Sequence, residues 1–215
     1  MLLSYQATKN IPFTGNKQEQ EEEQRLHFYE KGEEIPTIAQ GIWQVYRGIV
    51  QLGMLHQSGT EVLLGWAYPS TFFGRWLTYT ETYQAKALCD VYLKWYSLEE
   101  IEASQNLART IVTQVARRMR QTEALLAIAG MRRVEDRLQE LLKLLKQEIG
   151  EPVAGGTKLK IRLTHQNIAN AIGTTRVTIT RLLGEFQRNG YITLDRDRLI
   201  IILNDGDRGN NFQHN

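Results

Sequence analysis

Cysteine is nearly missing from this 215-residue chain: Cys89 stands alone. No intrachain disulfide can form, and one chain cannot supply the four thiolates of a typical iron–sulfur cluster. No run of eighteen apolar residues exists, so no membrane span is expected. The opening Met1-Leu2-Leu3-Ser4-Tyr5-Gln6 has neither the basic start nor the long apolar core of a signal peptide, and a cytoplasmic protein is expected. Net charge is small, +2 at pH 7. With 42% apolar and 23% charged residues, the chain has the composition of a soluble globular protein, long enough for one or two domains.

That small net charge is unevenly spread. Residues 1–105 hold 8 Lys/Arg against 13 Asp/Glu, whereas residues 106–215 hold 18 against 11. The basic half suits a polyanion, joined to an acidic or neutral companion.

Within the basic half, Leu163–Leu183 has the offsets of a helix-turn-helix. Ala169 is small where two helices would touch, and Gly173, four residues on, permits a positive φ in the turn. Ile168, Ile172, Ile179 and Leu182 supply a shared apolar seam. Thr164 is placed to cap the first helix, and Thr174 or Thr175 the second. The outward face of the second helix carries Arg176, Thr180 and Arg181. Arg176, at the helix start, is the expected guanine reader, since an arginine fork fits the O6 and N7 edge. Val177 is placed to touch a thymine methyl, and Arg181 a base or a phosphate. Thr164, His165, Gln166, Thr175 and Thr178 are expected phosphate anchors, which set register without reading sequence.

Elsewhere the periodicity changes twice. Residues 1–25 are polar, with the acidic run Glu19-Gln20-Glu21-Glu22-Glu23, and suit a loose arm or a short surface helix. Short apolar or alternating runs at 41–46, 49–52, 62–66 and 87–93, with turn signals between them, predict an antiparallel β-roll over 26–97 whose aromatics (Trp43, Tyr46, Trp66, Tyr68, Phe72, Phe73, Trp76) are mostly core. Ser97 caps a helix, and a longer one begins near Ala108. In it Val112, Val115, Met119, Thr122, Leu126 and Ala129 alternate at spacings of three and four. That is a coiled-coil-like seam suited to a second copy, or else an amphipathic face packed on its own chain. Gly130 is a candidate hinge. A helix over 132–149, a loop over 150–157, a strand over 158–163, a hairpin around Asp195-Arg196-Asp197 acting as a wing, and a disordered tail from Asn204 complete the reading. The expected domains are 1–105, a β-roll with its arm; 106–131, a dimerisation helix and hinge; and 132–215, a winged helix-turn-helix. The fold class is α+β.

This order resembles the cyclic-AMP receptor protein and FNR superfamily of bacterial transcription regulators over about residues 27–203. The run Leu163-Thr164-His165-Gln166 through Arg181-Leu182-Leu183-Gly184, with Gln121-Thr122-Glu123, is similar to the cyanobacterial global nitrogen regulator branch. Phe28-Tyr29-Glu30-Lys31-Gly32, Tyr46-Arg47-Gly48 and Phe72-Phe73-Gly74 carry the weaker roll resemblance. It implies a cupin-like roll of the cyclic-nucleotide-binding type, a homodimer on double-stranded DNA with a GTA-type half-site opposite TAC, and RNA polymerase as partner. It also implies an effector held by the roll and the long helix. Arg75-Trp76 follows Phe73-Gly74 where the cyclic-AMP branch has its ribose glutamate, and Tyr83-Gln84-Ala85-Lys86-Ala87 lacks the arginine–serine pair, so cyclic AMP is not expected. Neither is haem, because His27, His56 and Cys89 stand in no motif. The nitrogen regulators bind 2-oxoglutarate. By that resemblance Arg118 and Glu123, with Gly74, Arg75 and Trp76, are the candidate effector contacts, though Arg118 and Glu123 could instead form an ion pair. A ligand-independent regulator with an occluded roll stays open. A metal-dependent cupin-like enzyme is disfavoured by the lack of a histidine pair, and no enzyme is expected.

Overall fold

The computed structural model describes residues 26–204 apart from Ser58 and Thr60. The expected acidic arm and the tail beyond Asn204 lie outside the described residues. Seven strands come first: β1 (Leu26–Tyr29), β2 (Gly41–Arg47), β3 (Val50–Leu55), β4 (Glu61–Ala67), β5 (Phe72–Phe73), β6 (Tyr83–Ala87) and β7 (Val91–Ser97). They form a four-stranded sheet in the order β1-β7-β2-β5 and a three-stranded sheet in the order β4-β3-β6. Ile42, Val45, Val50, Leu52, Phe72, Phe73, Val91 and Leu93 are buried. Trp43 sits edge-on to Trp95 at 4.8 Å and donates its indole N–H to the Pro36 carbonyl at 2.7 Å, so its one polar atom is satisfied where the ring is buried.

Two of the aromatics expected in the core are on the surface. Tyr46 is 60% exposed because the β2–β7 register shifts between Val45 and Arg47, and the bulge turns Tyr46 outward. Trp76 is 50% exposed on a short 3-10 turn, Arg75–Leu77. The run 87–93, read as one strand, divides: β6 ends at Ala87 and β7 starts at Val91. The break is held by Leu88 donating to the Ile49 carbonyl at 3.0 Å and by Asp90 accepting the Lys31 N–H at 3.0 Å.

Helix α1 (Leu98–Ala103) starts in a reciprocal cap: Ser97 Oγ accepts from Glu100 N–H and the Glu100 carboxylate from Ser97 N–H. Helix α2 (Gln105–Ala129) follows at once, three residues earlier than expected, with Ser104 Oγ accepting the Leu107 N–H. Its 25 residues make a rod of about 37 Å. Ile111, Gln121 and Ile128 are buried along it, whereas Val112 (69%), Val115 (38%), Met119 (62%) and Leu126 (73%) are exposed. The chain packs as two units. Among the described residues, one takes 26–54 with Trp66–Ala116; the other takes Leu55–Gly65 with 117–204. In the first, Ile111 joins Ile42, Phe72 and Ile101 in a buried cluster.

The second unit contains α3 (Val134–Ile149), β8 (Gly150–Val153), β9 (Gly156–Leu159), α4 (His165–Ile172), α5 (Arg176–Arg188), β10 (Ile192–Leu194) and β11 (Ile200–Leu203). Residues 150–157, expected as a loop, are mostly a hairpin, and the strand expected at 158–163 is β9, placed earlier. Gly155, at φ +79°, makes the turn, and Gly156 gives β9 a close approach to the Ile202 carbonyl that no Cβ would allow. The four strands run in the order β10-β11-β9-β8, so the expected wing is continuous with this hairpin. Leu138, Leu141, Leu142 and Leu145 bury one stripe of α3.

Arg137, one position before Leu138, interrupts that stripe for a reason. Its Nη1 donates to the Ile172 carbonyl at 2.7 Å, meeting one of the carbonyls left over at the C-terminus of α4. A single cation thereby ties the first helix of the helix-turn-helix to α3. Arg137→Met keeps the apolar stem but removes the donor. It should lower unfolding free energy by about 1.5–3 kcal/mol, the range for hydrogen bonds to charged groups, in urea titration. A change under about 0.5 kcal/mol would remove the anchoring role.

Candidate nucleic-acid interface

Helix α4 begins at Thr164, whose Oγ1 accepts the Asn167 N–H at 3.0 Å while Asn167 Oδ1 accepts the Thr164 N–H at 3.0 Å. The cap predicted at Thr164 is therefore a reciprocal one. At the other end Gly173 has φ +62° and ψ +53°, and the N–H groups of Gly173 and Thr174 both reach the Ala169 carbonyl. A left-handed residue here reverses the chain in three residues. Of the two cap candidates for α5, Thr175 does the work: its Oγ1 accepts the Thr178 N–H at 3.2 Å. Between the helices Ile168, Ala169, Ile172, Ile179, Leu182, Leu183 and Phe186 are all buried. Ala169 and Ile179 are wholly so.

This seam leaves a polar face on the other side of α5. Arg176 and Thr180 are exposed, and Val177 is 79% exposed. An uncovered valine in the first turn of a helix has no packing to explain it. Thr180 Oγ1 donates back to the Arg176 carbonyl at 2.9 Å and lies 2.7 Å from His165 Nδ1. Since the Thr180 proton is already placed, the His165 Nδ1–H is the donor across this contact. His165 thus bridges the two helices, with Nε2 left over. Burial, and then the positive charge of Arg176, hold its imidazole below its ordinary value of 6.5. Arg181 pairs with Glu185 one turn on, Nη1 to Oε1 at 2.6 Å.

The phosphate-anchor candidates also have intramolecular roles. Thr164 and Thr175 are caps, Thr178 Oγ1 lies 2.9 Å from Thr175 Oγ1, and Gln166 donates to Asn170 Oδ1 at 2.6 Å. All cluster at the N-terminal ends of α4 and α5, where free backbone N–H groups favour an anion. At the wing tip Asp195 Oδ1 accepts the N–H groups of Asp197 and Leu199, and the exposed Arg196 and Arg198 project from that turn. Sequence reasoning missed Arg137 and Glu185. An arginine at the spacing of Leu141 and Leu145 was a legible signal for the first; an Arg–Glu pair four apart on the outward face was one for the second.

The effector candidates fall in different units. Gly74 lies in the first, its backbone so close to Gly41 and Ile42 that an added Cβ would meet them at 3.2 Å. Arg75 and Trp76 follow it on the surface. In the second unit, Arg118 is partly buried, Glu123 is exposed, and the two form no ion pair with each other. Among the described residues no group of three or more His, Cys, Asp or Glu side chains could hold a metal ion, and no helix is long and apolar enough to cross a membrane.

Comparison with known proteins bears on most of the chain. Residues 132–206 match the Crp-like helix-turn-helix domain family. Regulatory protein CysR of Synechococcus elongatus is 36% identical over 171 residues, 78% of this chain and 79% of that protein. The global nitrogen regulator of Synechocystis is 27% identical over 172 residues, 76% of each chain. Two solved structures share the fold: a CRP/FNR-family transcriptional regulator from Thermus thermophilus (TM-score 0.67, 23% identity, 86% of this chain and 100% of that one) and FixK2 from Bradyrhizobium japonicum (TM-score 0.71, 21% identity, 84% and 93%). These relatives are regulators, not enzymes. With its capped, glycine-turned pair of helices and its relatedness to CysR along most of both chains, the protein belongs to the CRP/FNR family of DNA-binding transcription regulators, near its cyanobacterial members.

Proposed function

We propose that the protein works as a homodimer that reads a two-fold symmetric DNA site, with Arg176, Val177 and Arg181 of α5 facing base edges. Its three parts would be a β-roll sensor over 1–105, a dimerisation helix and hinge over 106–131 and a winged reading head over 132–215. The observation that carries the reading is the pairing of Arg176 with a bare Val177 in the first turn of α5. A guanidinium fork followed by an exposed branched methyl suits a guanine followed by thymine. That agrees with a GTA-type half-site opposite TAC. Thr164, His165, Gln166, Thr175 and Thr178 would hold the flanking phosphates, and DNA as ligand supports a cytoplasmic location. RNA polymerase is the proposed partner at the promoter. Arg176→Ala should reduce discrimination at the guanine by roughly 1–3 kcal/mol, about 5- to 160-fold in anisotropy titrations against a guanine-substituted duplex. Salt-sensitive binding to unrelated DNA should persist. Undiminished discrimination would overturn the assignment.

The seam on α2 supports the dimer. Val112, Val115, Met119 and Leu126 keep a three-four spacing and are exposed among the described residues, which favours a second copy over an intrachain face. A dimer sets its two reading helices one duplex turn apart, about 34 Å. Met119→Glu would set two carboxylates against each other across the seam. Sedimentation should then give a mass near 24.8 kDa instead of twice that, with weaker binding to the palindrome. A wild-type chain that sediments as a monomer would sink the dimer.

The proposed effector is 2-oxoglutarate, met by Gly74, Arg75, Trp76, Arg118 and Glu123. Support comes from the sequence resemblance to the nitrogen regulator branch and from Arg118 forming no ion pair with Glu123, a guanidinium that could meet a carboxylate. Calorimetry with 2-oxoglutarate should give saturable heat, and the ligand should change affinity for the palindrome. No heat with unchanged affinity would leave a regulator that binds DNA without that ligand.

A further inference from the structure

The Arg181–Glu185 pair is hard to account for as a stabilising contact. Its side chains are 61% and 34% exposed, and an exposed pair four residues apart on a helix contributes little. The order is also the less favourable one: the acid lies C-terminal to the base, toward the end of α5 where the helix dipole disfavours a carboxylate. Moreover, Glu185 is paired to a residue of the very face proposed to meet DNA. There a carboxylate adds repulsion against phosphates, so it costs affinity wherever it does not do something else.

What it does is fix the guanidinium. Arginine has five N–H donors in a rigid planar fork. Glu185 Oε1 takes Nη1 at 2.6 Å, a short charge-assisted bond. The plane is thereby held on a side chain otherwise free to swing, and the donors away from Nη1 remain for a pair of acceptors on a base edge. A phosphate oxygen that approaches the Nη1 side of the fork meets a carboxylate already in place. An arginine used for backbone attraction needs no such holder, whereas one used for reading gains from it, because fewer rotamers have to be ordered on binding.

We infer that Glu185 is a specificity-determining positioning residue: it orients Arg181 toward a base edge and denies it to the phosphate backbone. This rests on the proposal that α5 enters the major groove, and Arg176→Ala tests that proposal separately. Glu185→Gln removes the charge and keeps the shape. Binding is measured by anisotropy on the palindrome, on single-base variants of it and on an unrelated duplex, each from 50 to 200 mM salt. The variant should bind unrelated DNA several-fold more tightly, and its log K against log salt slope should steepen by about one for the freed cation. Preference for the palindrome should fall about tenfold, with the loss confined to one base pair of each half-site. Arg181→Ala should lose the same base pair. In the Arg181→Ala background, Glu185→Gln should still raise unrelated binding by relieving repulsion but should cost no further specificity. A melting temperature near wild type separates this from a folding defect, and should Glu185→Gln melt early, Glu185→Asp, charged but one methylene short, must show the same single-position loss. Unchanged selectivity at every base pair would overturn the inference. So would equal tightening on all duplexes, which makes Arg181 a phosphate contact. A guanine-selective wild type that loses its guanine preference in Arg176→Ala, yet is indifferent to Glu185→Gln, would defeat this inference alone.

Discussion

The left-handed turn at Gly173 is the constraint on which the reading face depends. At φ +62° it lets two N–H groups converge on the Ala169 carbonyl and sends the chain back across α4 after three residues. Any side chain there would pay the steric cost of the left-handed region, and Cβ space is already bounded by the Arg137 guanidinium 3.7 Å away. Once the turn is set, Ala169 and Ile179 have no freedom: both are fully buried and fix how α5 lies on α4. Arg176 and Val177 face outward because Ile179, Leu182, Leu183 and Phe186 face in.

This dependence explains why the helix-turn-helix was legible in the sequence. Its requirements are local and fall at fixed offsets: a cap at Thr164, a small residue at Ala169, glycine at Gly173, a cap at Thr175. Caps also fixed the start of α1 at Ser97. The roll was less legible, since its strands pair at long range. Leu88-Cys89-Asp90 turns within an apolar run because Ile49 and Lys31, far off in sequence, supply its partners. The hairpin β8–β9 looked like a loop for a related reason. Its glycines are there for a turn and for the Ile202 carbonyl, a contact about forty-five residues away. Tyr46 and Trp76 looked like core because ring size alone cannot register a bulge or a 3-10 turn.

In the site, the pattern of legibility differs. Which residues face outward could be read from the period of α5. Which of them are already engaged could not. Thr175, Thr178, Gln166 and His165 were expected as phosphate anchors, and each also has an internal partner. Those partners come from the way α4 crosses α5, or from the neighbouring turn, and a sequence does not print such choices. Effector contacts are the least legible of all. They would be drawn from segments far apart in the chain, and Gly74 fills a packing role against Ile42 whatever ligand is present.

The internal bonds of the reading face bear on how such a regulator can be controlled. His165 holds Thr180, Thr180 holds the Arg176 carbonyl, Glu185 holds Arg181, and Arg137 holds the end of α4. A face ordered before it meets DNA loses less entropy on binding, but it also has little left to change. A ligand can shift only an equilibrium whose two states it binds differently. The helix-turn-helix, closed by a buried apolar seam, by the His165–Thr180 contact and by Arg137 on the end of α4, is a poor candidate for a second state. The exposed row Val112, Val115, Met119 and Leu126 is a better one, because in the proposed dimer its burial would depend on another copy. In the proposed dimer, rigidity at α5 would therefore move the burden of control away from what is read and onto how two readers are held together.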